Sequence, residues 1–158
     1  MAKCKLDPHD DGRFKAWFGS NYPDADWQNI NTTVPFYRQI PGGVDADGYP
    51  YMGALWYRMD VKVPASAKGK QVNLFCAAME PEAWVWVNGH YIGHRQYREA
   101  YERPNELDMD VSKALIPGKK NTVIIRMQTG TNAAQMSDGL VSRLFLYSPN
   151  GKPITEQQ

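Results

Sequence analysis

Carboxylates, imidazoles and tyrosines at short spacings are the first residues in this sequence that could do chemistry. Glu80 and Glu82 lie two positions apart. On an extended segment both point the same way, about 6.5 Å apart, a separation that glycoside hydrolysis could use. Two neighbours on one short turn cannot flank a bond from both sides, so they make no catalytic pair. His90 and His94 have the i, i+4 spacing that joins two metal ligands on a helix, but on a strand it separates them by about 13 Å. Zinc is not expected. Asp45-Ala46-Asp47-Gly48 opens like a calcium loop, yet its twelfth position is Trp56, where an EF-hand needs a bidentate Glu. Gly-x-Ser-x-Gly, phosphate-loop and Cys–His nucleophile patterns are absent from the sequence. Asn31-Thr32-Thr33 is a glycosylation sequon, a frequent accident.

What remains suits a hydroxylated ring. Sugars need aromatic rings against their C–H faces and planar amide, carboxylate or guanidinium groups against vicinal hydroxyls. Tyr97, with Tyr49 or Tyr51, would supply the rings. Arg95 would supply a planar donor fork for a ring hydroxyl or a uronate carboxylate. Asn132 and Gln135 would add amides from the 129–138 loop.

The elements that must position these groups read as strands. Residues 83–93 are the organising stretch: two short strands joined by Asn88-Gly89, a pair that tolerates the positive φ a type I′ turn demands at both central positions. Ala83, Val85 and Val87 take one face, and Trp84 and Trp86 take the other, open to a partner or covered by another layer. Residues 54–63, 71–78, 121–128 and 140–147 read as further strands, 106–111 alternates weakly, and 33–37 reads as an edge segment because of Pro35. No segment sustains a helical period over three turns. Consecutive antiparallel strands end alternately at the two ends of such a domain. The turns at 64–70, 88–89 and 112–120 therefore fall at one end. The long polar loops 41–53, 79–82, 95–104 and 129–138, which carry every candidate above, fall at the other. Binding concentrates in loops of this kind on a rigid scaffold.

Short strands at regular spacing predict an all-β fold, a two-sheet antiparallel β-sandwich. A chain of 158 residues fits one domain: a polar N-terminal segment at 1–12, the sandwich at 13–149, and a tail at 150–158. The formal charge of +1 gives no electrostatic footprint for nucleic acid or an anionic membrane, and no apolar run approaches a membrane span. Cys4 and Cys76 define no disulfide framework, and Cys76, in an apolar strand, reads as a buried thiol. The start Met1-Ala2-Lys3-Cys4-Lys5 leaves localisation open: cytoplasmic, or extracellular or periplasmic if a signal peptide has been removed. Five Trp and nine Tyr exceed what a core alone requires, and rings in that quantity often serve sugar or protein surfaces.

Leu55-Trp56-Tyr57-Arg58 with Val63-Pro64, Gly69-Lys70 with Val72, Val85-Trp86-Val87-Asn88-Gly89 with Ile92-Gly93, and Asp110-Val111 with Leu115, Pro117-Gly118 and Asn121-Thr122-Val123 form a recognisable series. Together they resemble the N-terminal sugar-binding domain of glycoside hydrolase family 2, over roughly residues 14–147. The resemblance implies a jelly-roll sandwich of the galactose-binding-like kind, shared with many carbohydrate-binding modules, and a structural role for Trp86. It also implies that any catalytic glutamates lie on a separate barrel domain, for which this chain has no room. Modules of that fold often hold a structural calcium, the one cofactor the resemblance leaves open. The expected function is therefore non-catalytic saccharide binding through the loop end, in or derived from a polysaccharide-degrading enzyme. The alternative is an accessory domain that packs on a catalytic barrel and has no ligand of its own.

Overall fold

The computed structural model describes residues 1–99, 102, 105–130 and 138–149, and the backbone of 153–155. In chain order the strands are β1 (Ala2–Asp7), β2 (Gln28–Ile30), β3 (Gly53–Lys62), β4 (Asn73–Cys76), β5 (Met79–Glu80) and β6 (Glu82–Val87). They continue as β7 (His90–Arg95), β8 (Leu107–Asp110), β9 (Lys120–Thr129), β10 (Gly139–Leu140), β11 (Leu144–Tyr147) and β12 (Pro153–Thr155). The larger sheet has the order β2-β1-β3-β9-β6-β7 and the smaller β12-β11-β4-β8, with β10 and β5 forming a short ladder of their own. All pairings in these sheets are antiparallel. The expected all-β, two-sheet sandwich is the observed architecture.

Period-two patterning explains the layering. Val85 and Val87 on β6, Val123 and Ile125 on β9, and Leu74 and Leu144 on the smaller sheet all enter one core, each at most 2% exposed. Asn88 (φ 52°) and Gly89 (φ 81°) both adopt positive φ, as the I′ turn requires. Register fixes which loops share an end: Gly53 opposes Thr129, Glu82 opposes Gln128, and Ala83 opposes Arg95. The loops flanking those residues therefore emerge together, and the 64–70, 88–89 and 112–119 turns emerge at the opposite, tight end.

Three expectations need correction. Residues 1–12 are not a segment outside the sandwich, because β1 pairs with β3 over six residues and Cys4 is fully buried. Ala2 and Cys4 face the core while Lys3 and Lys5 face out, an alternation masked by the lysines. The 150–158 tail contributes β12, which pairs with β11. Residues 33–37 form no edge strand. Phe36–Arg38 is a 3-10 turn that buries Phe36 and Tyr37.

The outer face of the larger sheet carries a second apolar cluster, Trp17, Trp27, Trp56 and Ile124, with Phe18, Tyr22 and Trp86 packed against it. The 8–27 segment covers that face, pinned where it leaves β1. The buried Asp7 carboxylate accepts the Asp11 and Gly12 N–H groups (2.8 and 2.9 Å) and the Trp56 indole N–H (2.8 Å). A Cβ on Gly12 would stand 2.6 Å from Trp56 Nε1, so only glycine allows the chain to pass this close.

Two substitutions check this layering. Val87→Asp should abolish the folded state, since an unpaired buried charge destabilises by several kcal/mol. Trp17→Ala should leave the sandwich folded but lower its stability by about 3 kcal/mol. Chemical denaturation followed by far-UV circular dichroism reads both, and a wild-type profile for either variant contradicts the assignment.

Candidate functional site

At the loop end the structure is organised by a side chain expected to reach a ligand. Arg95 ends β7 and is only 7% exposed. Its Nη1 donates to the carbonyls of Pro81 (2.5 Å) and Gln96 (3.2 Å), and its Nη2 to those of Met79 (3.0 Å) and Asn105 (3.2 Å). Its Nε donates to the carbonyl of Glu106 at 3.5 Å. All five N–H groups of the fork are thereby directed at main chain. Burial, with Arg98 nearby, pulls the Arg95 pKa below its ordinary value. The fork that the sequence offered to a sugar instead clamps Met79 and Pro81 to Gln96, Asn105 and Glu106. This corrects the role assigned to Arg95.

The tyrosines divide. Tyr49 is 51% exposed on a loop closed by an Asx turn, in which the Asp45 carboxylate accepts the N–H groups of Asp47 (3.0 Å) and Tyr49 (2.9 Å). Tyr51 turns inward. Its hydroxyl donates to the Ala54 carbonyl at 3.0 Å, its ring meets Phe36 edge-on, and burial, with the Asp7 charge, pushes its pKa up to about 12. Tyr97 is 37% exposed and donates to Glu99 Oε1 at 2.6 Å. Tyr49 and Tyr97 thus present rings at the expected end, whereas Tyr51 is a packing residue. Asn132 and Gln135 lie outside the described residues.

The other candidates are engaged separately. Glu80 is buried and accepts from Asn105 Nδ2 (2.8 Å), while Glu82 pairs with His94 Nε2 (2.6 Å). Among the described residues no group of three or more His, Cys, Asp or Glu comes together as a metal site. Cys76 is buried and unbridged, 3.1 Å from Ser142 Oγ. Trp86 stacks between Phe18 (5.3 Å) and Trp56 (5.5 Å), and half-buried Trp84 lies between His94 and the Arg126 guanidinium. The two indoles are therefore taken up by neighbouring side chains and form no bare platform.

Two further features emerge only from the packing. Asp138, 2% exposed, accepts the Gly130 N–H at 2.7 Å through Oδ2, while its buried Oδ1 has no partner among the described residues. Burial, with Glu80 nearby, pushes its pKa up to about 6. At the tight end a groove of about 690 Å³ opens between the 20–24 and 113–116 segments. Both features arise from tertiary packing of residues distant in sequence.

No protein-family model matches the chain. A β-glucuronidase of Formosa agariphila is 32% identical over 82 residues, 48% of this chain and 8% of that protein. A putative β-glucuronidase of the same organism is 29% identical over 117 residues, 70% of this chain and 10% of that protein. The chain matches only a small part of each of these two proteins. Among solved structures, the Ruminococcus gnavus β-glucuronidase in complex with uronic isofagomine superposes with a TM-score of 0.69 at 20% identity. That match covers 83% of this chain and 20% of the other. The chain thus spans about a tenth of its sequence relatives' length and about a fifth of its structural neighbours'. The loop end of this chain has Arg95 as its floor and Tyr49 and Tyr97 as its exposed rings.

Arg95→Ala strips donors from a buried set of carbonyls, so it should lower stability by about 3 kcal/mol and the melting temperature by roughly 10 °C. Arg95→Lys should recover little, because an ammonium cannot reproduce a five-donor fork. A melting temperature within a degree or two of wild type for Arg95→Ala contradicts the clamp. Asp138 has a folded-state pKa above its unfolded value, so the folded state binds its proton more tightly. Stability should therefore fall as pH rises from about 4 to about 6 and stay level above, a loss of about 3 kcal/mol. Asp138→Asn keeps an acceptor for Gly130 and should be more stable than wild type at pH 7.5 but not at pH 3.5. Equal stability differences at both pH values, read from denaturant titrations, would count against this.

Proposed function

We propose that the chain is a non-catalytic carbohydrate-binding domain of a glycoside hydrolase, holding a saccharide at the loop end of its sandwich. The observation that carries the reading is the partial match. A piece covering 8–10% of its sequence relatives, both β-glucuronidases or putatively so, folds as a sandwich that gathers its long loops at one end. Tyr49 and Tyr97 serve as the stacking rings, and Asn132 and Gln135 are the amides offered from the 129–138 loop. Tyr49 precedes β3 and Tyr97 follows β7, three strand positions away, about 14 Å across the sheet. Rings carried by loops that leave the sheet this far apart suit separate units of an oligosaccharide.

A second reading has its own observation. Val44 (46% exposed) and Met52 (53%) flank Tyr49 on the same loop, an apolar group of the kind that covers a neighbouring domain. In this reading the loop end packs on a catalytic barrel and the domain has no ligand of its own.

A glycan array followed by isothermal titration separates them. The saccharide reading expects a ligand bound with micromolar to millimolar affinity, since a small hydrated ligand gains little net free energy. Tyr97→Ala and Tyr49→Ala should each weaken it by about 1–3 kcal/mol with little change in melting temperature. Array silence overturns it in favour of the docking role, and binding unchanged in both variants overturns the loop end as the site.

A further inference from the structure

We infer that the groove at the tight end is a second ligand site, one that takes a sugar unit bearing a carboxylate. It shares with the loop-end reading only the class of ligand and stands on different residues. Its volume of about 690 Å³ lies inside the range of small-ligand clefts, roughly 300–1,000 Å³.

The groove is held open by its own structure. Arg58, on the outer face of β3 and 6% exposed, forms part of the floor. Its guanidinium donates to the Gly19 carbonyl (3.0 Å) and the Ser20 carbonyl and pairs with Asp24 (3.1 Å), which ties the 20–24 wall down. Asn88 secures the other wall. Its Nδ2 donates to the Ala114 carbonyl (2.8 Å) and to Asn121 Oδ1 (2.7 Å), and its Oδ1 accepts the Thr122 N–H (2.9 Å). A ligand entering a cleft fixed in this way orders little protein, which favours binding of a small molecule.

The hydrogen-bond balance selects the ligand. Both carboxylates of the groove already have donors: Asp24 receives Lys3 (2.8 Å) and Arg58, and Asp60 receives Lys120 (3.0 Å) and the Thr122 hydroxyl (2.9 Å). The spare capacity is in donors. Arg58 retains two of its five N–H groups beyond Gly19, Ser20 and Asp24, and the groove is also lined by exposed Lys113, whose ammonium has Asp110 in its field, and by exposed His90. The lining cations Arg58, Lys113 and Lys120 outnumber Asp24 and Asp60 by one. An anion is therefore wanted, and a planar carboxylate fits a guanidinium and an ammonium. The two walls also offer apolar surface to a ring, half-buried Tyr22 on one and exposed Ile116 on the other. A carboxylate on a polyhydroxylated ring meets both requirements, whereas a bare anion leaves Tyr22 and Ile116 unused.

Amide chemical-shift mapping by NMR tests this on the full chain, with D-glucuronate, D-glucose and acetate each titrated to tens of millimolar. The inference expects D-glucuronate to shift amides of residues 20–24, 88–90 and 113–116, with D-glucose and acetate each weaker. Lys113→Glu, an exposed change, should weaken the D-glucuronate response about tenfold with an unchanged melting curve. Shifts confined to residues 41–53 and 95–99 would support the loop-end site and overturn this one. An equal response to D-glucose or to acetate, or no response at all, overturns it as well. Shifts at the groove without any at the loop end would sustain it while counting against the loop-end reading.

Discussion

One buried guanidinium decides what the loop end can be. Where strands leave a ladder their carbonyls lose partners, and buried carbonyls without donors are costly. Arg95 answers this for Met79, Pro81, Gln96, Asn105 and Glu106 at once. A charge this deeply placed pays a desolvation penalty, visible in its lowered pKa, and the nearby Glu80 carboxylate offsets part of it. The consequence is functional. The strongest donor at this end is spent on architecture, so a ligand here would have to be met by groups outside the clamp.

A comparable device acts on the other side of the molecule. The Asp7 carboxylate gathers two main-chain N–H groups and the Trp56 indole, which turns the chain out of β1 and lays 8–27 across the larger sheet. Trp17 and Trp27 then bury against Trp56 and Ile124. Arg126 joins the arrangement through Asp10 at 2.8 Å while lying over Trp84. The aromatic abundance is largely explained here: rings that looked available to a partner form a second core beneath their own chain.

The fold was legible where local pattern and tertiary role coincide. Val85 and Val87 alternate with Trp84 and Trp86, Asn88-Gly89 turns as its backbone preference requires, and strand parity alone placed the four long loops at one end. The N-terminal strand was missed because Lys3 and Lys5 made a half-buried strand look like a polar leader. The site was less legible. Exposure of Tyr49 and burial of Tyr51 depend on how a loop closes through Asp45, and nothing in the spacing of two tyrosines distinguishes them. Arg95 was read by residue type, yet its role follows from where β5, β7 and β8 end in space. The tight-end groove joins Ser20–Asp24, Asn88 and Lys113–Ile116, three segments that no local motif links.

Competition for surface narrows where a ligand can sit. The larger sheet gives one face to the core, and much of the other to the 8–27 segment. The smaller sheet's outer face carries Phe75, Phe145 and Tyr147, but their rings meet one another at tilted and edge-on angles, with centroids 5.1–6.2 Å apart. Rings so arranged satisfy each other's quadrupoles and offer no flat plane to a sugar. The two ends differ in kind. The tight end is cross-braced by Asn88 and Asn121, so its groove exists before anything binds. The loop end has a rigid floor at Arg95 but presents its rings on loops that leave the sheet about 14 Å apart. A preformed groove suits one small unit held by charge, whereas two separated rings suit an extended chain, and one sandwich can serve both without either site intruding on the other.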